Sequence, residues 1–426
     1  MKNVAKFLRP EPPDPDDGSL LVDLFVDRDE EVEGAIAQVD AILQGGIRQP
    51  LGVVGPARAG KSHLMLRIAR EITSRFDATV RVQIATGLTD SKDVLREVSR
   101  QFRVSIGNAV LAKGVGPPEQ FLLDPVDRYT RLLQPAIQGE ASALEIKRAE
   151  EVSHSVKRSL GAVATGSGLV SLLTGFELQA AWEGEETRSA SREQTVTIPR
   201  FDEPQLSALI AWTHAIVREA EPAWKTLLVV DDFDLLKRDD TGAFDPDPLM
   251  QALANLARED GLFVLTTVRE DTYYRHEKTF HRICLAKPFA EAHLLEEIYD
   301  RHVRLLCDGD DPFPRTFVRE VAERCEGRAG VFLRFLSETH SRVPSGQRAT
   351  LTVESLQHEW WSDAETADPE LTSLLLRAAR SAGGELRGAD ATRVRNSSVR
   401  RFLLEDTTTE NVLRVDPLTL SFLRRG

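Results

Sequence analysis

Apolar residues recur at helical spacing over 25–44, at Val32, Ala35, Ile36, Val39 and the Ile42–Leu43 pair, and the pattern stops at Gly45–Gly46. The run "PLGVVG" then has almost no polar residue, as expected of a strand covered on both faces of a parallel sheet. "KSHLMLRIAREITSRF" returns to the helical period and "ATVRVQIATG" reads as a second strand, so the order is strand, glycine-bearing turn, helix, strand. Beyond it, "SKDVLREVSRQF" and "LEIKRAEEVSHSVKRSL" predict helices, and "GFELQAAWEGEETRSASREQTVTI" predicts strands around a polar turn. A helix is predicted over 203–220. Three buried strands follow, within "KTLLVVDDFDLL", "GLFVLTTV" and "RICLAKPF", and a helical pattern covers 291–341.

These elements predict an α/β chain built on a parallel sheet sandwiched by helices. The expected divisions are a flexible lead at 1–19, a core at 20–290 with an insertion at about 100–200, a helical lid at 291–345, and a small C-terminal domain at 346–426. The C-terminal pattern, with "LTSLLLRAARS", "SSVRRFLLED" and "NVLRVDPLTLSFLRR", suits helices and a short wing-like hairpin.

Composition narrows the setting. The 426 residues are 41% hydrophobic and 28% charged, ordinary for a globular chain, and the formal charge of −13 argues against non-specific adhesion to DNA or anionic lipid. Three scattered cysteines make no disulfide framework or zinc site, so a cytoplasmic setting is expected. The uncharged window 159–176 approaches the length of a membrane span, but Gly, Ser and Thr punctuate it, and a buried hairpin is the expected reading. Residues 376–426 hold ten Arg and no Lys against six Asp plus Glu. That local excess suits either phosphate contact with DNA or pairing with the protein's own acidic surface.

The chemistry concentrates between the first strand and its helix. Gly55-Pro56-Ala57-Arg58-Ala59-Gly60-Lys61-Ser62 fits G-x-x-x-x-G-K-[ST] in full, with His63 next. Glycines let such a loop turn tightly so that successive N–H groups aim at one phosphate, and the following helix adds its N-terminal partial charge. Lys61 is the point charge for the β and γ oxygens, and the Ser62 hydroxyl completes a magnesium shell. A carboxylate at the end of a neighbouring strand is also needed. Asp231 is read as the magnesium-side acid and Asp232 as the base that orients and deprotonates water. Thr266 and Thr267 end the next strand, where a hydroxyl could reach the γ-phosphate or the water. Arg275 and Arg282 are candidates for a charge supplied to a neighbouring subunit.

The succession "LFVDRDEEVEGAI", "GPARAGKS", "LLVVDDFDLL", "LFVLTTVRED", "LAKPF" and "EGRAGVFLRFL" resembles the AAA+ ATPases, within the P-loop NTPases. Its nearest branches are the origin-recognition-like and STAND ATPases. The resemblance spans about residues 20–340. It implies that Phe25, Val26 and Arg28 help to enclose adenine, that Thr266 or Thr267 is the first sensor and Arg334 the second, and that the C-terminal domain resembles a winged helix. It further implies ATP or ADP with Mg2+ as ligands. The activity implied is ATP hydrolysis, slow because Asp232 is shorter than the usual Glu, coupled to oligomerisation or remodelling of a protein partner. The alternatives are a nucleotide-held switch with little turnover, and a DNA-binding loader or regulator acting through the C-terminal domain.

Overall fold

The computed structural model describes residues 18–46, 48–83, 91–115, 123–138, 142–145, 195–198, 200–231, 247–275, 277–278, 280, 282–307, 311–381, 383–395, 397, 399, 402–404 and 412–425. Helix α1 (Gly18–Asp23) begins inside the segment expected to be a flexible lead, because Leu21 is buried against the core. It is followed by α2 (Asp29–Leu43), β1 (Leu51–Gly55), α3 (Lys61–Ile72) and β2 (Ala78–Gln83). Helix α4 (Ser91–Lys113) runs one residue short of Gly114, well past the expected stop near Phe102. Ile106 and Val110 continue its buried stripe across Gly107 and Asn108.

Two short helices, α5 (Asp124–Leu132) and α6 (Gln134–Ile137), precede β3 (Ser142–Glu145), which pairs antiparallel with β4 (Thr195–Ile198). Leu144 and Glu145, expected to open a helix, therefore lie in a strand, where a partner strand satisfies their backbone. The remainder of that expected helix, the 159–176 window and most of the 175–198 segment lie outside the described residues. Among the described residues no helix is long and apolar enough to cross a membrane.

The core resumes with α7 (Glu203–Ala220), β5 (Thr226–Asp231), α8 (Asp247–Arg258), β6 (Leu262–Arg269), α9 (Glu270–Arg275) and β7 (Arg282–Leu285). Five strands form one parallel sheet in the order β2-β5-β6-β1-β7. Strand alternation divides their side chains between two layers. Leu51, Val53, Leu227, Val229, Phe263 and Leu265 face α2 and α3, whereas Val54, Leu228, Val230, Val264 and Val268 face α4, α7 and α8. Both layers are dry, which is why the strands read as unbroken apolar runs.

The rest of the chain is α10 (Ala292–Leu306), α11 (Arg315–Arg324), α12 (Ala329–Arg342), α13 (Val353–Ala367), α14 (Pro369–Arg380), β8 (Glu385–Arg387), α15 (Gly388–Arg395), β9 (Leu403–Leu404), β10 (Val412–Val415) and α16 (Pro417–Leu423). Strands β8, β10 and β9 form an antiparallel sheet in that order. The expected boundary at 345/346 falls within one continuous hydrophobic core. Phe332, Phe335 and Leu336 of α12 pack with Trp360 of α13, Leu375 of α14 and Val415 of β10, and the Phe335 and Trp360 rings lie 5.0 Å apart.

A buried polar chain ties α7 to the start of β5. The Trp224 indole can only donate, and it donates to Thr226 Oγ1 at 3.0 Å; the Thr226 hydroxyl then donates to His214 Nδ1 at 3.2 Å, and His214 Nε2–H to the Asp260 carbonyl at 2.9 Å. That sequence of donors requires neutral His214, and burial lowers its pKa from 6.5 to about 4. Between those values the unfolded chain binds a proton that the fold refuses, so this contribution to stability grows as pH rises from about 4 to 6.5 and is complete above that. Urea unfolding of His214→Gln should therefore show a pH slope in this window shallower than wild type by up to about 1.4 kcal/mol per pH unit.

Candidate functional site: a glycine-bearing loop facing an acidic strand end

Strands β1 and β5 deliver their C-terminal ends to the same edge of the sheet, separated by β6, which is where ligands bind in open parallel sheets. Gly55 ends β1. Its glycine is required by packing rather than by a turn: a Cβ there would lie 2.3 Å from the Ala286 carbonyl oxygen, just after β7. The left-handed turns belong to Arg58, at φ +62°, and Gly60, at φ +89°, immediately before α3. Gly60 adopts this freely, whereas Arg58 holds it against steric cost.

Each loop carbonyl from Pro56 to Ala59 meets a donor. Lys61 Nζ donates to the Pro56 carbonyl at 3.1 Å. Arg328 Nη1 donates to Ala57 O at 3.1 Å, the Gly330 amide to Arg58 O at 2.9 Å, and Arg28 Nη2 to Ala59 O at 2.7 Å. A trans peptide plane sends its N–H opposite to its carbonyl, so the Arg58 and Gly60 amides point away from Arg328 and Arg28, while the Ala59 amide closes a turn on the Pro56 carbonyl at 3.4 Å. Together with the first turn of α3, the Arg58 and Gly60 amides make a concavity of backbone donors suited to an anion.

The acid meets this loop directly. Asp231 is buried, and its Oδ1 accepts from the Ser62 hydroxyl at 3.1 Å and from the Thr267 hydroxyl at 3.0 Å. Three oxygen-bearing side chains thus converge, an arrangement matched to a hard cation such as Mg2+, which uses few protein carboxylates and relies on substrate phosphates. Asp232 lies outside the described residues.

Thr266, also buried, points into the opposite layer, where its hydroxyl donates to the Val230 carbonyl at 2.9 Å. Alternation separates the two threonines: Thr267 shares a face with Leu265 and, across the sheet, with Val229 and Asp231.

The N-terminal segment is threaded between two cores. Phe25 packs beneath α3, with its ring edge-on to His63 at 5.4 Å, while Val26 joins the core of α10–α12. His63 sends its ring to α1, where Nε2–H donates to the Leu21 carbonyl at 3.0 Å. Burial, above all, lowers its pKa to about 4, so it is neutral and holds the first turn of α3 to α1. Arg28 is buried under the loop, also donates to Lys287 O at 2.6 Å, and lies 4.5 Å from the Phe289 ring centre. Desolvation by burial is the main influence pulling its pKa down, countered by Glu31 and Asp27.

Arg328, the residue before α12, reaches the glycine-bearing loop at Ala57 O, a contact the sequence reading did not foresee. Arg334 lines a cleft with Arg58, Trp360 and Asp416 and pairs with Glu338 at 3.4 Å. The sequence carried a signal for the former. Gly330 lies two residues on, and a Cβ there would sit 2.8 Å from that of Arg58, so only glycine lets the lid helix approach this closely. Arg275 lies on α9 and Arg282 on the edge strand β7.

No family model matches the chain, and no curated protein is similar to it at the level searched. Among solved structures, it is similar to the Walker-type ATPase PABY2304 of Pyrococcus abyssi, with 13% identity, 94% of this chain and 96% of that one covered, and a TM-score of 0.39. That likeness is too distant to carry fold or function from one chain to the other.

Removing Arg28 strips the donor from two carbonyls at once, Ala59 O and Lys287 O. Arg28→Ala should lower unfolding stability by about 2 kcal/mol or more, measured by chemical denaturation.

Proposed function

We propose that this protein is a P-loop NTPase that binds Mg2+–ATP and hydrolyses it. One observation carries the reading: the buried Asp231 carboxylate and the Ser62 hydroxyl, 169 positions apart, are joined at 3.1 Å beside a loop whose Ala57, Arg58 and Ala59 carbonyls are capped from outside. In this reading the amides of Arg58 and Gly60 and the Lys61 ammonium hold the β and γ phosphates. Ser62 and Asp231 hold the magnesium ion, which when bound neutralises charge on those phosphates. Asp232 orients and deprotonates the attacking water.

The finer assignment is an AAA+ ATPase of the origin-recognition-like or STAND-like branch, and the order of the motifs supports it. Phe25, Val26 and Arg28 would close the adenine side. By the resemblance Thr266 or Thr267 would be the first sensor and Arg334 the second, and Arg275 and Arg282 would serve a neighbouring subunit in a homo-oligomer. Free Cys284, Cys307 and Cys325 are consistent with work in the cytoplasm. A second reading, a nucleotide-held switch with little turnover, is favoured by the lid's grip on the loop through Arg328 and Gly330. DNA contact through the C-terminal unit has weaker support: Arg387 and Arg414 pair with Glu385, and Arg393 with Glu370, while Arg400 and Arg401 lie outside the described residues.

Steady-state ATP hydrolysis by wild type, Lys61→Ala and Asp231→Asn tests the proposal. Both variants should lose at least about 100-fold in rate, as expected when a preorganised charge contact is removed. Wild-type turnover no faster than Lys61→Ala, with ATP still bound, would leave only the switch; no ATP binding at all would end the proposal.

A further inference from the structure

We infer that Thr267 is a positioning residue that aims the metal-side carboxylate, in place of the sensor role that the family resemblance would give it; this rests on the nucleotide reading above. Its hydroxyl donates to Asp231 Oδ1 at 3.0 Å, the same oxygen that Ser62 reaches at 3.1 Å. Thr267 is 1% exposed, so its side chain is fixed by packing and not by solvent. Two hydroxyls on one oxygen, from different elements, fix the carboxylate's rotation. Ser62 comes from the first turn of α3 and Thr267 from the strand beside β5, so the acid is held from the loop side and from the sheet side.

A carboxylate that must meet a divalent ion loses less freedom on binding when an outer hydrogen bond already sets its angle, and removing such a partner weakens metal affinity by about 10–100-fold. The neighbouring hydroxyl provides the internal comparison. Thr266 is equally buried, but its hydroxyl serves the Val230 carbonyl in the opposite layer. A role in general strand packing would apply to both threonines; a role in aiming Asp231 applies to Thr267 alone.

The test measures binding of N-methylanthraniloyl-ADP by fluorescence, in excess Mg2+ and in EDTA, for wild type, Thr267→Val, Thr267→Ser and Thr266→Val. Thr267→Val keeps the shape and removes the hydroxyl. It should leave the EDTA affinity unchanged and cut the Mg2+-dependent tightening by 10–100-fold. Thr267→Ser, which restores the hydroxyl, should regain the tightening, and Thr266→Val should retain it. Undiminished tightening in Thr267→Val, no recovery in Thr267→Ser, or an equal loss in Thr266→Val would overturn the inference. A wild-type chain that binds the probe in neither buffer would instead overturn the nucleotide reading beneath it.

Discussion

The carbonyls of Ala57, Arg58 and Ala59 each meet a donor from outside the loop, whereas the Pro56 carbonyl accepts from Lys61 Nζ and the Ala59 amide within it. Peptide planarity then turns the Arg58 and Gly60 amides away from those outside donors. Everything the site can do with an anion follows from that orientation. The donors come from three places: Lys61 next to the loop itself, Arg328 and the Gly330 amide at the start of α12, and Arg28 from the N-terminal segment. The concavity is therefore a property of the tertiary structure as much as of the loop's own glycines.

This arrangement explains why two arginines are placed under cover, a costly location for a cation unless its hydrogen bonds are met. Arg28 and Arg328 are both buried, and each donates to a loop carbonyl. A guanidinium suits the task because it is planar and carries several donors in fixed directions: Arg28 spans Ala59 O and Lys287 O while its face rests on Phe289. The same contacts bind the lid and the N-terminal segment to one loop, so movement of either must be felt there. The adjacent residues Phe25 and Val26 belong to the sheet core and the lid core respectively, which anchors that link mechanically.

At the other side of the site the governing constraint is strand alternation. Asp231 and Thr267 share a face and meet; Thr266, one residue away, is turned into a different hydrophobic layer. The lid and the C-terminal unit obey a different constraint, a shared core. Phe335 stacks near Trp360, and apolar side chains of α12, α13, α14 and β10 exclude water together, so no sharp boundary separates them.

The sequence alone determined the parallel sheet, the glycine-bearing loop between β1 and α3 and the acid at the end of β5. Unbroken apolar runs and one complete loop pattern are local signals that need no knowledge of neighbours. It could not choose between Thr266 and Thr267, because both faces of β6 are dry and no polar alternation betrays which face meets Asp231. It named Arg334 and not Arg328, since burial of a cation depends on which carbonyls the fold brings to it. The extent of α4 past Gly107, the strand at Leu144–Glu145 and the merging of lid and C-terminal cores were likewise decided by distant partners. Local pattern fixes what an element is. Only the packing of elements fixes which of two neighbouring side chains it presents.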